Sequence, residues 1–292
     1  MSFKNAIELH NVTKSYDGFT LDNVSFNVPK GSVCGFIGQN GAGKTTTINA
    51  ILNIIPINSG NIKILGYDNN KDEKIFKQKI SAVFDELPFP ENLNANQLNK
   101  IMKGIYKEWE SETFFNYLTN FNIPVKRKFA NFSKGMKMKL QIAVALSHNS
   151  DLLIMDEATV GLDPIVRNEI LDIFMDFMQD ENHSILMSSH ITTDLERMAD
   201  TIVFINNGKI LLSGNKDEIL ESHGLIKCSK SDVQMIDKKD IISTRSNEFG
   251  VEMMTSDINC CRSKYPDLII EKSTLEGIML FYVNAQKESD EV

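Results

Sequence analysis

No stretch of this chain approaches the roughly 18 consecutive apolar residues that a membrane-spanning helix needs, although 42% of its residues are hydrophobic. Any membrane work is therefore expected to rely on spans supplied by another chain. The opening MSFKNAIELHN has no apolar signal-peptide core, which points to a cytoplasmic location, and the closing QKESDEV reads as a charged, frayed tail. Basic residues are outnumbered, 31 Lys and Arg against 39 Asp and Glu, for a net charge of −8 and a pI near 5.3. That balance argues against nucleic acid as the main partner, because phosphate-binding surfaces need clustered cations. The four cysteines, Cys34, Cys228, Cys260 and Cys261, show no metal-ligand spacing. Two are adjacent, a poor geometry for a ring disulfide, so all four read as small buried hydrophobes of a reducing compartment. Tryptophan occurs once, at Trp109. A length of 292 residues allows one large or two modest domains.

What is present is concentrated chemistry. Gly38 to Thr46 reads GQNGAGKTT, the pattern G-x-x-x-x-G-K-[ST] of a phosphate-binding loop. Glycines without a Cβ let backbone N–H groups turn towards phosphate oxygens. Gly38, Asn40, Gly41, Gly43, Lys44, Thr45 and Thr46 are the candidate nucleotide-binding residues. Lys44 would place a charge on the β- and γ-phosphates and the Thr45 hydroxyl would ligate Mg²⁺. Context supports the motif. The apolar run Val33 to Ile37 reads as a strand before the loop, and Thr46 to Ile55 as a helix after it. The helix N-terminus would face the phosphates.

Around that motif the texture changes three times. Ile7, Leu9 and Val12, then Leu21, Val24, Phe26 and Val28, suggest antiparallel strands broken at the turn Tyr16-Asp17-Gly18. Asn61 to Leu65 reads as another strand. From Glu86 to His148 helical spacing takes over, with Leu93, Leu98, Ile101, Ile105 and Tyr106 as one stripe and Phe114, Phe115, Leu118 and Phe121 as a second. Strands then return at 152–155, 185–188 and 201–205, with helices at 165–178 and 192–199 between them. That alternation implies a parallel sheet with helices on its faces. The last seventy residues or so read as a separate piece, with strands at 225–236, 251–255 and 268–270 and helices at 258–264 and 274–283.

Two further motifs fit a nucleotide site. Leu152 to Met155 followed by Asp156 and Glu157 is a buried strand that delivers two carboxylates at its C-terminal end, where open α/β sheets bind ligands. Asp156 would hold Mg²⁺ and Glu157 would be the general base for the attacking water. Ser133 opens an amphipathic helix and is a good N-cap, so its loop offers N–H groups to an anion.

The ordered set of phosphate loop, Ser133 helix start, apolar-Asp-Glu strand, Gly161-Leu162-Asp163 and Ser188-Ser189-His190 resembles an ATP-binding-cassette (ABC) ATPase over roughly residues 5 to 220. The resemblance implies an α/β fold: a P-loop NTPase ABC fold with a parallel-sheet core, an N-terminal antiparallel β region and an α-helical subdomain. A small C-terminal α+β piece would follow. Domains of 1–220 and 221–292 are expected, with the helical subdomain at about 86–148. The resemblance also implies roles. Ser133 and Gly135 would complete the ATP site of an opposite subunit, Asp163 would cross the dimer interface, His190 would contact the γ-phosphate and Tyr16 would stack on adenine.

The chain departs from the family pattern twice. Its signature reads Phe-Ser-Lys-Gly-Met in place of Leu-Ser-Gly-Gly-Gln, which puts Lys134 near where a γ-phosphate would sit and removes the Gln side chain at Met136. Where the family places a Gln after the strand 80–84, this chain has Asp85, a third candidate Mg²⁺ ligand. Together with the extra C-terminal piece, these variants resemble the ATPases of Gram-positive exporters with separately encoded membrane subunits. Exporters of antimicrobial or amphipathic peptides, of the phenol-soluble modulin type, look closest. The implied protein is a transport ATPase using ATP and Mg²⁺, in a homodimer or in a heterodimer with a paralogous ATPase. A separate permease would hold it on the inner face of the cell membrane. A regulatory ATP-binding cassette with little hydrolysis and a soluble non-transport ABC ATPase are the alternatives.

Overall fold

The structure, a computed structural model, describes residues 3–248 and 250–290. The first two residues of the expected leaderless start and the last two of the expected charged tail lie outside them. The chain divides into two compact units, Met1–Ile210 and Leu211–Val292. Among the described residues no helix is long and apolar enough to cross a membrane.

The first unit opens with β1 (Asn5–Tyr16) and β2 (Phe19–Pro29), paired antiparallel around the Asp17-Gly18 turn. Their alternating apolar residues Ile7, Leu9, Leu21, Val24, Phe26 and Val28 are all buried. The sequence spacing slips from two to three between Leu9 and Val12. There the register shifts and Asn11 takes φ 49°, as expected of a bulge that returns Val12 to the core face. β4 (Ser59–Ile64) and β5 (Tyr67–Asp68) complete a sheet of order β2-β1-β4-β5.

The second sheet positions the site. β3 (Val33–Ile37), β6 (Ile80–Phe84), β7 (Leu152–Asp156), β8 (Ser184–Ser189) and β9 (Thr201–Asn206) run parallel in the order β9-β3-β8-β7-β6. Every residue of β3, β7 and β8 is buried. Strands covered on both faces read as continuous apolar runs, which is why they stand out in the sequence. The helices of this unit are α1 (Lys44–Ile51), α2 (Glu73–Phe76), α3 (Ala95–Ile105), α4 (Ser111–Asn120), α5 (Lys134–Ala145), α6 (Pro164–Phe177) and α7 (Thr192–Met198). α1 starts two residues earlier than expected, straight out of the glycine loop, and ends at Ile51 rather than Ile55. Asn53, at φ 53°, sits in a left-handed conformation that a helix cannot continue through.

Within the helical region one expectation fails. α3 has a capping box, Asn94 with Gln97, and buries Ala95, Leu98 and Met102. Ile101 and Ile105 are instead 43% and 53% exposed. The buried stripe runs through Met102, one position after Ile101.

In the second unit, β10 (Lys209–Asn215) spans the division and α8 (Lys216–Ser222) follows it. β11 (Gly224–Cys228), β12 (Ser243–Ser246), β13 (Val251–Thr255) and β14 (Ile269–Lys272) form an antiparallel sheet of order β12-β13-β11-β14. α9 (Ile258–Lys264) and α10 (Leu275–Asp290) complete the unit. Its core includes Ile226, Val251, Met253, Ile258, Cys261 and Ile270. The expected strand 225–236 stops at Cys228, because the Asp232 carboxylate accepts from the Ser229 amide and hydroxyl and turns the chain into a 3₁₀ segment. β12, sequence STRS, has no apolar period and was not expected.

Candidate functional site

The carboxyl ends of β3, β6, β7 and β8 converge on a cavity of about 710 Å³. Its lining includes Gln39, Asn40, Gly41, Gly43, Lys44, Thr45 and Thr46 from the glycine loop, with Asp85, Asp156, Glu157 and His190 opposite. Two glycines are sterically required. A Cβ at Gly38 would lie 2.5 Å from the Ile205 carbonyl oxygen. Gly43, the N-cap of α1, has φ 114°, and a Cβ there would lie 2.7 Å from Leu21 Cδ2. Packed against β2 and β9, the loop delivers the N-terminus of α1 to the cavity, which favours an anion there.

The Lys44 side chain is 5% exposed. Its Nζ donates to the carbonyls of Gly38 at 2.7 Å and Gln39 at 3.2 Å, and pairs with Glu157 Oε1 at 2.9 Å. The other oxygen of Glu157 meets His190 Nδ1 at 2.6 Å. Lysine, glutamate and histidine therefore form one continuous chain across the cavity. Glu157 sits at φ 55°, an uncommon conformation for a residue with a side chain. Its amide donates to Ser188 O at 3.2 Å and Ser188 Oγ at 3.1 Å. The Ser188 hydroxyl in turn donates to buried Asp156 Oδ1 at 2.6 Å. One serine on β8, directly opposite Asp156 in the parallel register, thus orients both carboxylates. Its signal in the sequence was the first hydroxyl after the apolar run Ile185–Met187, two residues before His190.

The other expected site residues fall in three places. Thr45 and Asp85 line the cavity with Asp156. They bring hydroxyl and carboxylate oxygens together, the hard donor set that suits Mg²⁺. Tyr16 ends β1 with 47% exposure and Lys14 Nζ 5.0 Å from its ring centroid. It does not line the cavity; Phe19, its partner across the turn, and Phe84 do. Ser133, Gly135 and Asp163 also lie outside the lining. Ser133 Oγ caps α5 by accepting from Met136 N at 3.3 Å, and Asp163 caps α6 by accepting from Ile165 N and Val166 N. Lys134 Nζ pairs with Asp85 Oδ1 at 2.5 Å. Sequence reasoning also missed Gln141, which accepts from Phe84 N at 3.0 Å and donates to Phe84 O at 2.9 Å. β6 is the edge strand, so this amide stands in for a missing neighbour just before Asp85.

A larger cavity, about 1600 Å³, lies at the opposite ends of the strands, lined by Trp109, His148, Ser150 and His183 among others. Its five carboxylates, Glu108, Glu110, Asp176, Asp180 and Glu181, repel phosphate, so size does not select it. Among the described residues no group of three or more His, Cys, Asp and Glu is placed to hold a metal ion. The four cysteines are all free, Cys34 and Cys261 buried, Cys228 partly buried and Cys260 exposed.

Comparison with known proteins places this geometry. The family model described as ABC transporter matches residues 21–160. The bacitracin transport ATP-binding protein BcrA of Bacillus licheniformis is 35% identical over 209 residues, 70% of this chain and 68% of that protein. The lantibiotic transport ATP-binding protein SrtF of Streptococcus pyogenes is 37% identical over 214 residues, 72% of this chain and 91% of that protein. A solved structure of the ATP-binding subunit of an ABC transporter superposes with a TM-score of 0.68 at 28% identity, over 74% of this chain and 92% of that one.

Proposed function

This chain belongs to the ATP-binding-cassette transporter family and is one of its ATPases, and we propose that it powers the export of antimicrobial or amphipathic peptides through a separately encoded permease. Two copies, or this chain and a paralogue, sandwich ATP at their interface, and the permease holds the pair on the inner face of the cell membrane. Support for the cargo comes from the relatives, two of which carry bacitracin and lantibiotic transport in their names. The observation that carries the ATPase mechanism is the Lys44–Glu157–His190 chain across the phosphate cavity.

The residues divide the work as follows. The N–H groups of the glycine loop and α1 hold the phosphates, and Lys44 pairs with the β- and γ-phosphates. To do so it leaves Glu157, which is then free to accept a proton. Thr45 and Asp156 would hold Mg²⁺, and the ion would supply a charge clamp on the phosphate oxygens. Glu157 takes a proton from water as the water oxygen attacks the γ-phosphorus. The bond to the bridging oxygen breaks, and ADP and phosphate result. His190 keeps the Glu157 carboxylate aimed and faces the γ-phosphate. Ser188 holds Asp156 and the Glu157 backbone in register. Ser133 and Gly135 meet the ATP of the opposite subunit, with Asp163 at the crossing.

Two measurements test this reading. The tagged chain should co-purify from membranes with a polytopic protein, and cells lacking the chain should accumulate amphipathic peptides. Unchanged peptide export in those cells would remove the cargo assignment. Recovery of the chain free of any membrane protein would remove the transport role.

A further inference from the structure

The two departures from the family pattern, Asp85 and Lys134, are 49 residues apart in sequence and touch in space. We propose that they form a matched pair: Lys134 is a phosphate ligand for the ATP of the opposite subunit, and Asp85 holds it within its own chain until that phosphate arrives. This deepens the reading of a two-subunit ATP sandwich and rests on it.

The geometry supports a latch in four ways. Lys134 is the first residue of α5, directly after the Ser133 cap. A cation there opposes the partial positive charge of the helix N-terminus, so it needs an anion close by, and Asp85 Oδ1 lies at 2.5 Å. Asp85 itself lines the phosphate cavity of its own chain, so the pair joins that cavity to the loop meant for the other subunit's ATP. The lysine also passes close to a third loop: a Cβ at Gly161, where φ is 70°, would lie 3.1 Å from Lys134 Nζ. Finally, Gln141, on the same helix as Lys134, clamps the backbone of Phe84, which fixes where Asp85 leaves the edge strand.

The pair is built to open. Its side chains are 43% and 45% exposed, and ion pairs that exposed contribute little to stability. A triphosphate brings more charge than one carboxylate and forms stronger charge-assisted hydrogen bonds. Lys134 therefore exchanges one anion for another, and the family's Gln would be a weaker holder because a neutral amide offers an ammonium a hydrogen bond without an opposite charge.

A double-mutant cycle tests the latch. ATP-driven dimerisation of the full chain is measured by sedimentation, with Glu157→Gln as the parent to prevent turnover. Lys134→Gln should weaken dimerisation roughly tenfold, as loss of a charged phosphate contact does. Asp85→Asn should strengthen it roughly threefold by freeing the lysine, the size expected for breaking an exposed pair. In the Lys134→Gln background Asp85→Asn should have no effect, whereas Lys134→Arg should preserve the Asp85 effect. Equal Asp85→Asn effects in both backgrounds, or no effect of Lys134→Gln, would overturn the latch and leave the ATP sandwich standing. A parent that binds ATP but stays monomeric would overturn the sandwich itself, and the latch with it.

Discussion

The two ends of the parallel sheet solve the burial of polar groups in opposite ways. At the carboxyl ends, Lys44, Glu157, His190 and Asp156 are held mainly by one another and by Ser188. At the amino ends the buried groups are neutral. The single proton of the Ser81 hydroxyl goes to the Ala145 carbonyl at 2.6 Å, so His148 Nε2, at 2.9 Å, must donate to Ser81. The Tyr106 ring stacks on His148 with centroids 3.8 Å apart, and Trp109 Nε1 donates to Asn99. Burial pushes the His148 pKa down to about 4, against smaller pulls from the Gln78 backbone and the Glu108 carboxylate. A charged network can be redistributed by a charged ligand, whereas a neutral one held by packing resists recharging. The first end is therefore suited to chemistry and the second to stability.

The contrast breaks most sharply at Lys44. Lys44→Ala should lower ATP turnover by roughly 10²–10³-fold, the loss typical of removing one charge-stabilising donor, while thermal unfolding stays cooperative. Turnover within tenfold of wild type would detach Lys44 from the phosphates. A smaller effect is expected at Ser188, which touches no substrate. Ser188→Ala should reduce turnover roughly tenfold, with a stability loss of about 1–3 kcal/mol for the bonds left unmade. A stability loss with full turnover would show that the serine only packs.

At the other end the expected response is to pH. The folded-state pKa of His148, about 4, lies below its ordinary value of 6.5. The neutral form is favoured in the fold, so this stability is present above pH 6.5 and lost as pH falls towards 4. At 1.36 kcal/mol per unit the span of 2.5 units bounds the loss at roughly 3 kcal/mol. Chemical denaturation across that window should show the decline in wild type and a flatter profile in His148→Gln. The same slope in both would move the acid sensitivity elsewhere.

The first end was largely legible in the sequence because phosphate chemistry demands particular residue types at short fixed spacing, as in Gly38 to Thr46 and in Asp156-Glu157. What escaped depends on partners far apart in the chain. Ser188 matters through its register with Asp156, Gln141 through a helix laid against an edge strand, and Phe19 through its place across the turn from Tyr16. The parallel strands were visible because both faces are buried. The second unit was read less well: β12 carries Thr244, Arg245 and Ser246 exposed and is held by pairing with β13, which leaves no hydrophobic period to see. In α3, Ile101 and Ile105 satisfied the helical spacing but lie on the exposed face, since spacing fixes a stripe without saying which of two adjacent stripes is covered.

The central claim is that Glu157, passed between Lys44 and His190, is the base for ATP hydrolysis. Its most direct test is steady-state turnover and ATP binding of the purified full chain beside Glu157→Gln. Turnover reduced about 10³-fold, within the range for loss of a general base, with ATP binding retained, is the expected result. Wild-type turnover in Glu157→Gln would contradict it.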